Sequence, residues 1–295
     1  MHEHIKGLLI TAAGVILLSP DAVLVREVGA PEATTVIWRG LLSGIVLAVA
    51  LAVAHGGGLG RAVRGMGRWG VVCGALFAVN TTLFVYSIEH TAAANTLVII
   101  AGGPLFGAVL SRFALGEAVA AETWIATMLV VLGIGVVVGD GLAQGTWRGD
   151  LAGIVVSLSL SANFVIMRKR KDISMVPATG LGFFASGVIA LAAAAVGAVP
   201  GPVVPPSGDV VPLVLMGAAV LPAAFGLITL GPRRITAPEV GLLMLLETVL
   251  GPLWVWLLRG ELASATALAA GAFVVVTLCV YFTVRLRRVR AEAPT

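Results

Sequence analysis

The chain has 295 residues, of which 59% are hydrophobic and only 12% are charged, and its mean hydropathy is +1.04. A soluble domain carries roughly 25% charged residues, so this composition excludes a soluble globular protein with an ordinary surface. The net charge of +4 does not indicate nucleic-acid binding, because the basic residues stand in short clusters between apolar runs, which is how the orientation of membrane helices is set.

Apolar runs of membrane-spanning length recur along the chain. A helix needs roughly 20 apolar residues to cross about 30 Å of hydrocarbon, and charged or Gly/Pro-rich breaks separate runs of that length. We therefore predict an all-α integral membrane protein with ten transmembrane helices. The predicted spans are 6–26, 33–54, 69–88, 92–113, 122–140, 150–168, 176–198, 210–230, 236–258 and 263–284.

The distribution of lysine and arginine predicts the orientation of these spans. If the N-terminus is cytoplasmic, 15 of the 19 basic residues fall in inner segments. The bias of short loops toward Lys and Arg sets topology, so both termini are predicted to lie in the cytoplasm. A multi-pass protein of a bacterial cytoplasmic (inner) membrane is the expected setting.

An internal repeat divides the chain into two halves. The stretch from Tyr86 to Gly116-Glu117 corresponds, at an offset of 144 residues, to the stretch from Leu230 to Gly260-Glu261. Each is a helix end, a tight turn, a helix of about 22 residues, and a Gly-Glu pair before another apolar helix. Since five helices per half is an odd number, the two halves are predicted to have inverted topology, the architecture of secondary transporters. The predicted segments are 1–140 and 148–288 for the repeats and 289–295 for a cytoplasmic tail.

These motifs resemble the drug/metabolite transporter superfamily, specifically EamA-type transporters with two tandem EamA domains. The resemblance covers nearly the whole chain and is carried by Trp38-Arg39-Gly40, Tyr86 to Pro104, Gly116-Glu117, Glu247 and Gly260-Glu261. The second half departs from the family at Glu247-Thr248, where a Glu-Pro pair is frequent, so Pro252 would have to supply any kink. The resemblance implies export of amino acids, drugs or other metabolites, although some members take metabolites up.

Three charged residues lie at least five residues inside the ends of the predicted spans. A charge in hydrocarbon costs at least about 2.5–3.5 kcal/mol on insertion scales, so each needs a partner or a purpose. Glu247 is eleven residues from either end of its span and is predicted to be either a proton-coupling carboxyl or a structural one. Asp21 and Arg39 are each predicted to lie about 7–9 Å below the outer surface, where they can form a structural ion pair or a substrate or gating contact. Pro20 is predicted to kink the helix beside Asp21.

Uncharged polar residues supply the other candidates for a substrate or coupling site. Asn80 is mid-span in the third helix, Tyr86 follows on the same helix, and Asn95 is in the outer part of the fourth. Each asparagine is either a cavity residue or a hydrogen-bonding contact between helices. The Gly102-Gly103-Pro104 sequence predicts a bend beside a cavity or a place of close helix packing.

The leading hypothesis is a secondary transporter, most simply an exporter, of a small metabolite such as an amino acid, working by alternating access and driven by protons or by the substrate's own gradient. The alternatives are an intramembrane enzyme acting on a lipid or peptide, and a membrane subunit that does not transport. No HExxH sequence and no GxxxxGK[ST] sequence is present, so neither a zinc protease nor an ATP-driven pump is indicated. We predict no cofactor, no metal and no nucleic acid; the expected partners are a small-molecule substrate, protons and the lipid bilayer. Substrate identity and oligomeric state are not predicted.

Overall fold

The computed structural model describes residues 2–116, 121–235, 237–260 and 264–292, and the regular structure within these ranges is entirely helical. The helices are α1 (His2–Leu18), α2 (Asp21–Glu27), α3 (Glu32–His55), α4 (Leu59–Gly65), α5 (Gly67–His90), α6 (Ala93–Ala101), α7 (Gly103–Leu115), α8 (Ala121–Gln144), α9 (Trp147–Lys169), α10 (Val176–Ala195), α11 (Val210–Val214), α12 (Leu221–Ile228), α13 (Ala237–Arg259) and α14 (Ala265–Glu292). Glu117 and Glu261, the acidic residues of the two Gly-Glu pairs, lie outside the described residues.

The helices are apolar enough for a multi-pass membrane protein. Among the described residues, seven segments reach the length and hydropathy of a membrane span. Two shorter apolar helices, Trp124–Asp140 and Ala265–Tyr281, fall in the fifth and tenth predicted spans. The chain is therefore an integral membrane protein, whereas the total of ten crossings stays a prediction. The seven segments are Glu3–Glu27, Glu32–His55, Gly67–His90, Ala93–Ala114, Trp147–Lys169, Val176–Ala195 and Ser207–Arg233.

Two of the long segments are interrupted where the sequence predicts it. The first ends its initial helix at Leu18 and resumes at Asp21, on either side of Ser19-Pro20. Pro20 has no backbone N–H to continue the helical ladder, so the predicted kink is confirmed. The fourth predicted span breaks at Gly102, between α6 and α7. In contrast, α13 continues through Pro252 as one helix, so no helix break arises there.

A third irregularity was not predicted. Residues Leu215–Val220, between α11 and α12, form a stretch of π-helix. Pro222 follows at the start of α12, and a proline there cannot bond back to the preceding turn. Single π turns often mark functional positions, and this one carries Met216, whose sulfur lies 3.2 Å from Nη1 of Arg39.

Corresponding helices of the two halves pack against each other in antiparallel pairs. On α3 and α10, Gly40 faces Gly187 and Gly44 faces Phe184, so one helix ascends as the other descends. A Cβ atom on Gly40 would lie 2.6 Å from the Gly187 nitrogen. Such close backbone approach explains why small residues occupy this contact.

The fourth and ninth predicted spans form a second antiparallel pair. Leu97 of α6 lies against Gly251 of α13, and Pro104 of α7 lies against Gly241. The other contacts come in matched sets: α5 packs on α9 as α1 packs on α12, and α6 packs on α9 as α1 packs on α13. Exchanging the two halves therefore reproduces the pattern of helix contacts.

The buried core joins the halves through aromatic and aliphatic side chains. Phe77 of α5, Phe183 of α10 and Phe225 of α12 contact one another pairwise, with ring centroids 5.5–6.2 Å apart. Tilted and edge-on aromatic contacts at this spacing contribute about 0.5–1.5 kcal/mol each beyond the burial of their area. This cluster holds α5, α10 and α12 together near the polar residues described next.

Two glycines mark equivalent contacts at the ends of the halves. Gly149 of α9 packs against the backbone of His90 and Thr91, and Gly7 of α1 packs against Arg234 and Ile235. Gly149 is 142 residues after Gly7, and Arg234 is 144 residues after His90. In each half, the first helix thus closes on the turn between the third and fourth spans of the other half.

Candidate functional site

An ion pair between Asp21 and Arg39 lies buried in the helix bundle. Nη1 and Nη2 of Arg39 donate to the two carboxylate oxygens of Asp21 at 2.7 and 2.8 Å, and the residues are only 1% and 3% exposed. Two parallel charge-assisted bonds of this kind are strong and fix the geometry of both groups. The predicted contact between Asp21 and Arg39 is confirmed, whereas its functional role stays a prediction.

Arg39 has three further contacts, which come from two segments of the chain. Its Nε donates to Thr81 Oγ1 at 3.1 Å, its Nη1 lies 3.2 Å from the Met216 sulfur, and its guanidinium carbon stands 5.0 Å from the centroid of the Phe84 ring. Thr81 and Phe84 are on α5, and Met216 belongs to the π stretch. Because Met216 comes from the second half, the guanidinium bridges both halves of the chain.

Glu247 of α13 completes this charged cluster. It is 5% exposed and lies within electrostatic reach of both Asp21 and Arg39. Nearby, Nε1 of Trp254 donates to Ser19 Oγ at 3.1 Å, which fastens α13 to the break between α1 and α2. If all three groups are ionised, two carboxylates and one guanidinium give the cluster one net negative charge.

The other candidates lie elsewhere in the bundle. Asn80 precedes Thr81 on α5, and its amide donates to the Val156 carbonyl at 3.4 Å. This long bond ties α5 to α9, as expected of a contact between helices.

Tyr86 is in a separate crevice, apart from the ion pair. Its ring stacks on His90 at a centroid distance of 3.9 Å, and the His90 imidazole lies 3.4 Å from the Glu32 carboxylate. These three side chains line a cavity of about 570 Å³ whose walls are otherwise largely apolar.

Asn95 belongs to a separate polar network around Asp150. Asn95 Nδ2 donates to Thr91 Oγ1 at 3.2 Å, and the Thr91 hydroxyl donates to Asp150 Oδ1 at 2.8 Å. Arg26 Nη2 donates to the Thr91 carbonyl at 2.7 Å. The structure thus joins Asp21, Arg39 and Glu247 but places Tyr86 and Asn95 in two other polar groups.

The break at Gly102 has hydroxyl partners and a small cavity beside it. Ser161 Oγ donates to the Gly103 carbonyl at 2.8 Å, and Ser157 Oγ donates to the Ile100 carbonyl at 3.4 Å. Hydroxyls of this kind compensate for backbone bonds lost at a break within a membrane helix. The adjacent cavity, which Pro104 lines, measures about 20 Å³, enough for one water molecule.

Sequence reasoning missed several residues of these networks. Thr81, Phe84 and Met216 carry no charge, so nothing in the sequence distinguishes them from ordinary core residues. Asp150 offered a signal, because it is a carboxylate in the first turn of α9, but it was not singled out; it is fully buried. Asn163, also completely buried, has no hydrogen-bond partner for either side-chain polar atom within the described ranges.

Comparison with known proteins gives a consistent assignment. The model of the EamA-like transporter family matches residues 5–139 and, a second time, residues 147–283. A protein of solved crystal structure is 20% identical, with a TM-score of 0.71 over 95% of this chain and 98% of its own; at that identity the likeness concerns the fold alone. A comparison with curated proteins gives no match. Because the two matched segments cover most of the sequence, the chain belongs to the EamA-like transporter family and contains two tandem EamA segments.

Proposed function

We propose that the protein is a proton-coupled secondary transporter, working as an exporter, that moves a small metabolite such as an amino acid or related compound by alternating access. The observation that carries this proposal is the burial of Glu247, from the second EamA segment, beside the Asp21–Arg39 pair of the first. Ionisable groups inside a membrane bundle almost always face its interior, and they mark substrate and ion pathways.

The charge balance of the cluster gives Glu247 its proposed role. Asp21 and Arg39 neutralise each other through two short bonds, which leaves Glu247 without a cation of its own. A proton or a cationic group of the substrate removes the surplus negative charge. Glu247 therefore alternates between binding a proton and binding the substrate, which couples the two movements.

The same cluster fits a small zwitterion. Arg39 offers a guanidinium suited to a carboxylate, while Asp21 and Glu247 offer oxygens suited to an ammonium group. A zwitterionic substrate engages both kinds of group without adding net charge to the buried site. An amino acid or a similarly small zwitterion is the substrate class that we propose.

We further propose that ten helices form two inverted repeats, spanning 1–140 and 148–288, with a cytoplasmic tail at 289–295 and both termini in the cytoplasm of a bacterial cell. Two observations support this architecture: corresponding helices pack in antiparallel pairs, and the helix contacts recur when the halves are exchanged. Reporter fusions at each terminus test the orientation, since a periplasm-dependent reporter should be inactive at both.

Flux measurements test the transport function. Purified protein is reconstituted into liposomes, and counterflow is measured across a panel of labelled amino acids, amines and other small metabolites. At least one zwitterionic compound should exchange faster than in protein-free vesicles, and a protonophore should abolish its accumulation. Absence of exchange for the whole panel would contradict the proposal. A member of a transporter family needs no catalytic residue for this activity, and we assign none.

A further inference from the structure

Asp150 is a buried carboxylate that the proposed transport centre does not use. Its residue exposure is 0%, and its Oδ2 atom has no hydrogen-bond partner among the described residues. Asp150 pairs with Thr91 and is separate from the cluster of Asp21, Arg39 and Glu247. Buried polar atoms are nearly always paired, so an orphaned carboxylate oxygen calls for an explanation.

The partners of Asp150 carry no charge. The Thr91 hydroxyl donates to Oδ1 at 2.8 Å, and the Asn95 amide donates to the Thr91 hydroxyl oxygen at 3.2 Å. The nearby Arg26 guanidinium donates instead to the Thr91 carbonyl. An ionised carboxylate with neutral partners alone is costly to hold out of water.

This carboxylate lies where α9 closes on the turn between α5 and α6. A Cβ atom on Gly149 would be 2.7 Å from the His90 carbonyl carbon, so the two backbones are in direct contact. Ser87 Oγ donates to the Gly149 carbonyl at 2.8 Å, and Asp150 follows immediately. Asp150 is therefore sealed from water by the same contact that closes this end of the bundle.

Other charged groups surround this contact without pairing with Asp150. Those that face it or its supporting segments are Arg26 and Glu27 of α2, Glu32 of α3, Glu89 and His90 of α5, Asp140 of α8, Arg148 of α9 and Arg259 of α13. Asp140 lies close enough to act on Asp150 electrostatically, and its negative charge opposes ionisation of its neighbour. These surroundings therefore favour the binding of a proton or another cation to the Asp150 carboxylate while α9 is closed on the α5–α6 turn.

We propose that Asp150 is a second proton-binding site, which holds a proton while α9 is closed on the α5–α6 turn and releases it to water when the two separate. The proton bonds to a carboxylate oxygen on closing and returns to water on opening, so the step balances. A proton suits this position better than a metal ion, because it needs one atom and no cavity. The inference rests on the proposed alternating access, and it makes the opening of one end depend on pH.

The opposite end of the bundle is built differently. There, Gly7 packs on Arg234 and Ile235, and the accompanying ion pair joins Arg234 to Glu3 at 3.1 Å. The Glu3 side chain is 69% exposed, so this pair stays in contact with water. Protonation at a buried carboxylate is thus a property of the Asp150 end and not of its counterpart.

Infrared spectroscopy of the purified protein detects the proton directly. A protonated carboxylic acid gives a carbonyl band that an ionised carboxylate lacks, and spectra are compared for the parent protein, D150N, D150E and E247Q over pH 5–8. D150N should lose one such band that E247Q retains, and D150E should keep it at a shifted position. The exposed Asp172, changed to Asn, is the matched control and should leave the band unchanged near neutral pH.

Two results would overturn the proposal. If D150N and the parent protein have the same carbonyl bands throughout this pH range, Asp150 is ionised and binds no proton. If the band appears only after sodium is replaced by choline, the occupant is a sodium ion. D150E shows whether the fold tolerates change at this position. Since the spectra require no transport, their failure is distinguishable from absence of flux in liposomes.

Discussion

Replacing Asp21 with Asn should destabilise the protein by leaving Arg39 charged and buried. The D21N variant keeps one oxygen that can accept a hydrogen bond, but it removes the negative charge opposite a guanidinium that is 3% exposed. Arg39 keeps its contacts with Thr81 and Met216, which carry no charge.

The magnitude follows from this arrangement. Removing one partner of a buried ion pair typically costs about 3–5 kcal/mol. We expect the lower end, about 3 kcal/mol, because Glu247 lies within electrostatic reach of Arg39 and offers partial compensation. At roughly 2–4 °C per kcal/mol for a chain of this size, the midpoint of thermal unfolding should fall by about 6–12 °C.

Thermal unfolding in detergent, followed by size-exclusion chromatography, measures this loss. The control is D172N, which breaks the exposed Arg170–Asp172 pair and should cost less than about 1 kcal/mol. Adding R39M to D21N removes the stranded charge and should recover part of the loss. A D21N midpoint within error of D172N would refute the reasoning, and so would a D21N/R39M protein less stable than D21N.

The remaining predictions concern close backbone contacts and the second carboxylate. Gly40→Val should destabilise the α3–α10 contact by about 1–3 kcal/mol, because its Cβ would lie 2.6 Å from the Gly187 nitrogen. The control in the same unfolding assay is Gly139→Val, since Gly139 is a helical position with open space around it. Gly149→Val should open the contact between α9 and the α5–α6 turn, and each 1.4 kcal/mol of clash shifts that equilibrium about tenfold. To measure this opening, Ser87 is replaced by cysteine in a chain that lacks Cys73 and Cys279, and the rate at which an impermeant maleimide labels the new cysteine is followed. Gly149→Val should increase this rate, whereas Gly7→Val should not. D150N should lose the infrared band described above, and a protein with unchanged spectra would remove Asp150 from the proton pathway.

Much of the fold was predictable because the bilayer restricts what the sequence can form. Long apolar runs require helices in hydrocarbon, and the Pro20 and Gly102 breaks appear where the sequence predicts them. The contact between Asp21 and Arg39 was also predictable, since a short loop joins neighbouring helices and opposite charges at equal depth attract. Residue order and hydrophobicity were sufficient for these features.

The rest of the site depended on three-dimensional packing. Glu247 is more than 200 residues from Asp21, and the two come together only because α13 packs on the first two helices. Met216 contacts Arg39 from a π-helical stretch, and no simple sequence pattern predicts that stretch. Asp150 was not singled out, because its burial arises from the α5–α6 turn and not from its own sequence neighbours.

The central claim is that Glu247 couples proton movement to substrate movement. The most direct test compares parent protein and E247Q in liposomes, measuring accumulation driven by a pH gradient and, separately, exchange of substrate at equal pH on both sides, with D172N as a control carboxyl variant. E247Q should lose gradient-driven accumulation but retain exchange, because the buried carboxyl no longer alternates between proton and substrate. Equal, gradient-driven accumulation in E247Q and the parent protein would contradict it and make Glu247 a structural residue.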